Sequence, residues 1–244
     1  MTPEAFAVEL DVIKVDLRDY LSRLLLHTDA VDDVLQSTAV RALSNLQSAP
    51  AVMGELRPWV FRIATNLAID EIRRRGRWRP DVLLESRPLA EANGEFVAMS
   101  ESLRGSPQMR LIAKEHLVTC FACTLRALTP ERAAALLLRE VYAFSVAGTA
   151  SILDARPDQV KNWLQEARRI MTAAYENRCA LIRKTGICYQ CSELAELFTG
   201  QDENPLASTR SESLRERVRI VRELRNRQSN PWHQQLFAIF DELE

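Results

Sequence analysis

Apolar residues recur along this chain at intervals of three and four, and strict alternation is almost absent, which predicts an all-α fold. Phe6, Leu10, Ile13, Leu17, Leu21 and Leu24 share one face of a helix expected over residues 3–27. A second helix is expected over 29–46, broken by Ser48, Ala49 and Pro50. A third, over 56–76, places Leu56, Trp59, Val60, Ile63 and Leu67 on a buried stripe and ends in an arginine run and Gly76. Three helix starts share one grammar, a capping residue followed by proline: Thr2–Pro3, Thr129–Pro130 and Asn230–Pro231. Residues 80–106 hold Pro80, Pro88, Gly94 and Gly105 without a sustained apolar face, and read as a linker. The periodicity divides the chain into a bundle at 1–79, the linker at 80–106, a second bundle at 107–191 and an extension at 192–244. The extension contains a polar break at Thr199–Ser213, a charged helix near 210–228 and an amphipathic end with Leu236, Phe237, Phe240 and Leu243.

The second bundle carries the more specific pattern. Residues 128–171 divide into a helix at 130–142, a short helix at 145–153 and a third at 157–171, which is helix-turn-helix spacing. In the last helix Val160, Leu164, Ala167 and Met171 fall on one face. Lys161, Asn162, Gln165, Arg168 and Arg169 fall on the other, with Arg156 and Gln159 near its start. A recognition helix needs this split: an apolar side to seat it, and long donors to reach base edges and phosphates. An ordinary amphipathic surface helix would show the same periodicity.

The net charge of −1 conceals a segregated distribution. Residues 1–50 carry eight acids against Lys14, Arg18, Arg23 and Arg41. Residues 56–80 carry seven arginines against Asp70 and Glu71. Residues 81–106 turn acidic again, and a second basic group follows from Arg156 to Lys184. Two separated basic blocks suggest two anion contacts, although solvated helix faces give the same charge pattern. Within the first block, Phe61 and Arg62 point away from the buried stripe, and the helix then runs into Arg73, Arg74 and Arg75. Cations track phosphates while rings stack on unpaired bases, so this mixture suits single-stranded or melted DNA; an aromatic in a helix is more often core.

Two sets of residues then carry a family resemblance. The first is Asp33, Gln36, Thr38, Arg41, Ala42 and Leu43, followed by Trp59, Arg62, Ile63, Ala64, Asn66, Ile69, Asp70, Arg73 and Arg74. The second is Leu128 and Pro130, then Phe144, Ser145, Ala150, Ile152, Leu153, Val160, Lys161, Leu164, Ala167 and Arg168. In this order, with an acidic linker between, they resemble regions 2 and 4 of the extracytoplasmic-function sigma factors of the sigma-70 family, the specificity subunits of bacterial RNA polymerase. The resemblance covers about residues 5–178 and leaves the cysteine-bearing C-terminal extension outside it. It implies that the helix at 29–43 binds core polymerase, with Asp32, Asp33, Gln36 and Arg41 as contacts. It implies that the loop at about 47–56 and the following helix read and melt the −10 element, through Phe61, Arg62, Asn66, Arg73 and Arg74. The helix at 157–171 would enter the major groove at the −35 element, using Arg156, Gln159, Lys161, Asn162, Gln165, Arg168 and Arg169. The acidic linker would thread toward the polymerase active centre. An anti-sigma factor is a further partner of this family. Ala143 and Asp154 stand where the family usually has glycine, which predicts looser or differently capped turns. Thr149 replaces an expected isoleucine, and Trp163 stands where a basic or small polar residue is common.

Five cysteines, an odd number, and no basic-then-apolar leader argue against a disulfide framework and for a reducing, cytoplasmic setting. Cys188 and Cys191 have zinc-ligand spacing behind Gly186, and with Cys123 and Cys179 they make a candidate tetrahedral zinc site. Cys120 or His116 could substitute, and thiol–disulfide sensing and plain packing stand beside the metal reading. No cofactor is needed for the core function. The three histidines at 27, 116 and 233 are scattered, and neither a nucleophile elbow nor a phosphate-binding loop is present, so no enzyme and no membrane span are expected. Two other classes fit parts of the pattern: a free-standing helix-turn-helix regulator, and a metal- or redox-responsive helical adaptor.

Overall fold

A computed structural model describes residues 2–25, 28–50, 52–75, 88–103, 106, 109–178, 214–225 and 231–243. Among them there are helices and turns and no strand. The helices are α1 (Pro3–Leu25), α2 (Thr28–Ser44), α3 (Met53–Arg75), α4 (Gly94–Leu103), α5 (Met109–Leu125), α6 (Pro130–Leu136), α7 (Val146–Ile152), α8 (Pro157–Arg178), α9 (Leu214–Glu223) and α10 (Pro231–Leu243). All three proline-led starts are present. At the first, Thr2 Oγ1 accepts from the Ala5 amide at 3.2 Å. The chain divides into two units, one of residues 1–78 with 128–168, the other of 79–127 with 169–244. The helix-turn-helix core therefore groups with the N-terminal bundle, while α5, which the sequence pattern places with the helix-turn-helix, groups elsewhere.

In the first unit α1, α2 and α3 pack mutually, and α3 also packs on α6 and α7. This second neighbour changes the core face of α3. Its buried positions are Leu56, Val60, Phe61, Ala64, Thr65, Ala68, Ile69 and Ile72, whereas Trp59, Ile63 and Leu67 are half-buried. The single stripe expected from periodicity is displaced because a helix covered on two sides needs apolar residues on both. Thr65 is accommodated by giving its proton to the Phe61 carbonyl at 2.7 Å, which leaves the Tyr20 hydroxyl to donate to Thr65 Oγ1 at 3.0 Å. A buried polar pair costs little when its hydrogen bonds are made.

The helix-turn-helix follows the expected spacing. A π-type turn over Leu137–Val141 closes α6. Ser145 caps α7 by accepting from the Gly148 amide at 2.9 Å. Ala143 has φ 60° and Asp154 has φ 51°, so both connecting turns adopt the left-handed region without glycine.

In the second unit α5 packs on α9, and α10 packs on α4. The stretch expected to be a bare linker thus contains a helix with a buried face. Asn93 Oδ1 caps α4 by accepting from the Phe96 amide at 2.9 Å. Phe96 and Ser100 lie under Trp232 of α10: the ring centroids are 5.2 Å apart, and Trp232 Nε1 donates to Ser100 Oγ at 2.9 Å. The amphipathic C-terminal end therefore docks on the linker helix. His116 and His233 stack in the same core with centroids 5.6 Å apart. Burial, reinforced by the charge of Arg217, depresses the His116 pKa to about 3, and burial beside His116 holds His233 well below its ordinary value.

Candidate nucleic-acid interface

Helix α8 presents the split that the sequence predicts. Val160, Leu164, Ala167 and Met171 are buried. Arg156, Gln159, Lys161, Asn162, Gln165, Arg168 and Arg169 are exposed. Arg156 reaches Asp158 at 3.4 Å, and Arg168 pairs with Glu140 of the preceding helical turn. Such exposed pairs are weak and exchange readily for a phosphate contact. Trp163 is half-buried at the edge of this face.

The N-terminal bundle offers a second, differently shaped surface. The end of α2, the short helical turn Leu46–Ser48 and the second to fourth turns of α3 enclose an open cleft of ≈ 250 Å³. Arg41, Asn45, Ser48, Trp59, Arg62, Ile63 and Asn66 line it. Arg62 and Asn66 are thus brought together as expected. Arg41, assigned from the sequence to polymerase contact, lines the same cleft. Two aromatics exchange places relative to the expectation. Phe61 is fully buried, with Tyr20, Tyr142 and Phe144 rings at 5.3, 6.0 and 5.0 Å, so in this conformation it faces no ligand. Trp59, assigned from the sequence to the core, is half-buried at the cleft and also meets Phe6 edge-on. The signal that could have found Trp59 is its i, i+3, i+7 relation to Arg62 and Asn66.

The arginine run at the end of α3 is largely occupied. Arg74 donates twice to Glu71, at 2.7 and 2.8 Å, and Arg75 joins the same carboxylate. The Arg74 hydrogen bond, with help from Arg75, holds Glu71 well below the usual carboxylate range. Arg73 meets Glu131 at 2.8 Å.

On α2, Asp32, Asp33 and Gln36 are exposed, and Asp32 meets Arg18 at 2.6 Å. The same helix exposes Val40 and Leu43, at 57% and 47%. Polar residues beside uncovered apolar ones are what a protein-docking face requires, and the charge pattern alone did not show it.

Comparison with known proteins adds the decisive observation. The sigma-70 region 2 family matches residues 14–78, and the sigma-70 region 4 family matches residues 119–171. With both regions in this order, the chain is similar to the extracytoplasmic-function sigma factors of the sigma-70 family. It is similar to the extracytoplasmic-function RNA polymerase sigma factor SigG of Mycobacterium tuberculosis (strains CDC 1551 / Oshkosh and ATCC 25618 / H37Rv), 27% identical over 174 residues, which is 67% of this chain and 46% of the relative. It is similar to SigW of Bacillus subtilis (strain 168), also an extracytoplasmic-function RNA polymerase sigma factor, 32% identical over 83 residues, 34% of this chain and 42% of the relative. The chain spans about half the length of the curated relatives it matches. In region 2 lie the cleft, the exposed α2 face and the arginine run; in region 4 lies α8 through Met171.

Of the candidate metal ligands, Cys123 is buried within α5 and Cys120 is half-buried, 4.0 Å from Thr124 Oγ1. Cys179, Cys188 and Cys191 lie outside the described residues, so the fourfold set has no geometry to weigh. Among the described residues no three His, Cys, Asp or Glu side chains converge as metal ligands would. Sigma factors are non-enzymatic regulatory subunits. Among the described residues no helix is long and apolar enough to cross a membrane.

Proposed function

We propose that the chain binds core RNA polymerase in the cytoplasm and directs promoter-specific initiation. Its region 2 opens the −10 element and its region 4 helix α8 reads the −35 element. The observation that carries this is the pairing, in one chain, of an exposed recognition helix with a cleft suited to unpaired bases. A base turned out of the duplex presents a π face and hydrogen-bonding edges. Trp59 offers a stacking surface, Asn45, Asn66 and Ser48 offer edge partners, and Arg41 and Arg62 offer cations for the adjoining phosphates. Major-groove readout uses edge partners and cations as well but no stacking ring, so Trp59 fits this surface to melted DNA and leaves duplex DNA to α8. The α2 face of Asp32, Asp33, Gln36, Val40 and Leu43 is the surface for core polymerase. An anti-sigma factor would act by covering one of these surfaces.

Neither DNA contact need be strong. Mounted on one polymerase, each raises the effective concentration of the other, and free binding to duplex DNA should be poor. A labelled promoter fragment titrated with chain alone, core alone and both together tests the reading. A promoter-specific complex is expected only with both. Binding by the chain alone would support the free-standing regulator, and no specific complex under any condition would support the adaptor.

A further inference from the structure

We propose that the outer face of α1 is a docking seam for an amphipathic helix of a partner protein other than core polymerase, a helix whose apolar stripe is flanked by basic residues. Ala5, Val8, Val12 and Val15 recur at intervals of three and four, opposite the buried face of Phe6, Ile13, Leu17 and Leu21. The three valines are 66, 72 and 55% exposed. Single apolar residues scattered over a surface need no explanation, but an aligned row does. The spacing is that of a coiled-coil seam, and the row is about 15 Å long at ~1.5 Å per residue. Valine is also a poor choice for a solvated helix surface, because its branched Cβ lowers helix propensity. Once covered, the same stiffness leaves little side-chain freedom to lose. Farther along the same line α1 is covered: Asp19 is buried with Arg23 and accepts the Tyr142 hydroxyl at 2.5 Å. The fold thus covers the row at Asp19 and leaves it open from Ala5 to Val15.

The borders of the row select the partner. Glu4 and Asp11 lie along one edge, and Glu9 and Asp16 along the other. Asp16 is met by Arg57 at 3.0 Å, whereas Glu4, Glu9 and Asp11 make no ion pair among the described residues. Arg18, the next residue on the first edge, is turned to Asp32 at 2.6 Å, and Lys14 falls on a different face of the helix. An apolar seam with acidic borders fits a helix carrying Lys or Arg at its flanking positions, as paired charges do beside a coiled-coil seam. A second copy of this chain fits badly. Antiparallel pairing sets Glu9 and Asp11 against their own copies, and parallel pairing sets Glu4 against Glu9. DNA phosphates and anionic lipid head groups are repelled by the same borders.

This inference goes beyond the promoter reading and does not rest on it. Polymerase docking is assigned above to α2. Val8 and Val12 precede the residues that the region 2 family matches, so they lie outside what the family shares.

The test uses the full chain and a synthetic three-heptad helical peptide with leucine along its seam and lysine at the flanking positions, followed by fluorescence anisotropy. Saturable binding that weakens with salt is expected, and none is expected for the same peptide with glutamate at the flanking positions. Val12→Asp should weaken binding by about 10-fold or more. Glu4→Gln with Asp11→Asn should weaken it several-fold, against no change for Lys14→Ala. All four positions are exposed, and an unchanged circular dichroism spectrum separates lost docking from unfolding. In the native host, a photo-reactive residue at Val8 should cross-link to a protein segment with this apolar and basic pattern. No binding of the lysine peptide, equal binding of both peptides, or binding insensitive to Val12→Asp overturns the seam. Cross-links to a second copy of this chain, to core polymerase or to no protein overturn it as well. A fall in core-polymerase affinity for Val12→Asp would give the row to polymerase, overturning the proposal while leaving the promoter reading intact.

Discussion

The turn at Ala143 should be strained, and relieving the strain should stabilise the protein. Ala143 has φ 60°, and its side chain is exposed. An L-residue with a Cβ pays roughly 1–2 kcal/mol in this region through its clash with the backbone carbonyl. Glycine removes the clash but gives back about 0.4–1 kcal/mol through the greater freedom of the unfolded chain. No packing is lost, because the methyl group meets solvent. Ala143→Gly is therefore expected to stabilise by about 0.5–1 kcal/mol, which corresponds to a rise in Tm of about 1–4 °C for a chain of this size. Thermal unfolding followed by circular dichroism, with urea unfolding as a second measure, reads the effect. Ala143→Val should move the other way, since a β-branched side chain fits this region worse. Asp154→Gly should change little: aspartate tolerates the left-handed region better than alanine, and the substitution also loses the exposed contact to Arg62. A fall in stability for Ala143→Gly would refute the reasoning, because it would mean that the turn does not require a left-handed residue there.

Trp59→Ala should weaken binding of single-stranded −10 DNA by about 1–3 kcal/mol, measured by fluorescence anisotropy with the polymerase complex, while duplex −35 affinity stays the same. Lys161→Ala should lower −35 affinity with little change in sequence preference and reduce the salt slope by about one, whereas Gln165→Ala should relax preference at one base pair. The buried histidines give a pH dependence. With pKa values lowered on folding, they take up protons more readily unfolded, so their neutral burial is fully tolerated above about pH 6.5 and increasingly costly below it. For His116, lowered to about 3, the loss on going from pH 8 to pH 5 is about 2 kcal/mol. Protection factors of the α10 amides, corrected for the intrinsic exchange rate, should therefore fall between pH 8 and pH 5, and His116→Phe should remove much of that fall. Trp232→Ala should expose α10 to exchange at neutral pH while leaving the first unit's protection unchanged.

Helix starts, the helix-turn-helix spacing and the apolar face of α8 were legible in the sequence because each is fixed within a few residues by capping, proline and a single covered face. The left-handed turns were marked by the unusual Ala143 and Asp154, although not their conformation. Phe61 and Trp59 were misplaced for a physical reason. A helical wheel assumes one buried side, and α3 has two because Tyr142 and Phe144 arrive from more than 80 residues away. The same distance hid the burial of the Asp19–Arg23 ion pair on α1, whose carboxylate accepts from the Tyr142 hydroxyl at 2.5 Å. The helix in the acidic linker was missed because Phe96 alone gives no periodicity. Its burial comes from Trp232 in the extension.

Run-off transcription with purified core polymerase, with start sites mapped by primer extension, tests the central claim most directly. Discrete transcripts are expected from particular promoters only when chain and core are both present, and they should vanish when Arg62 and Asn66 are both replaced by alanine. Start sites identical with and without the chain would contradict the account.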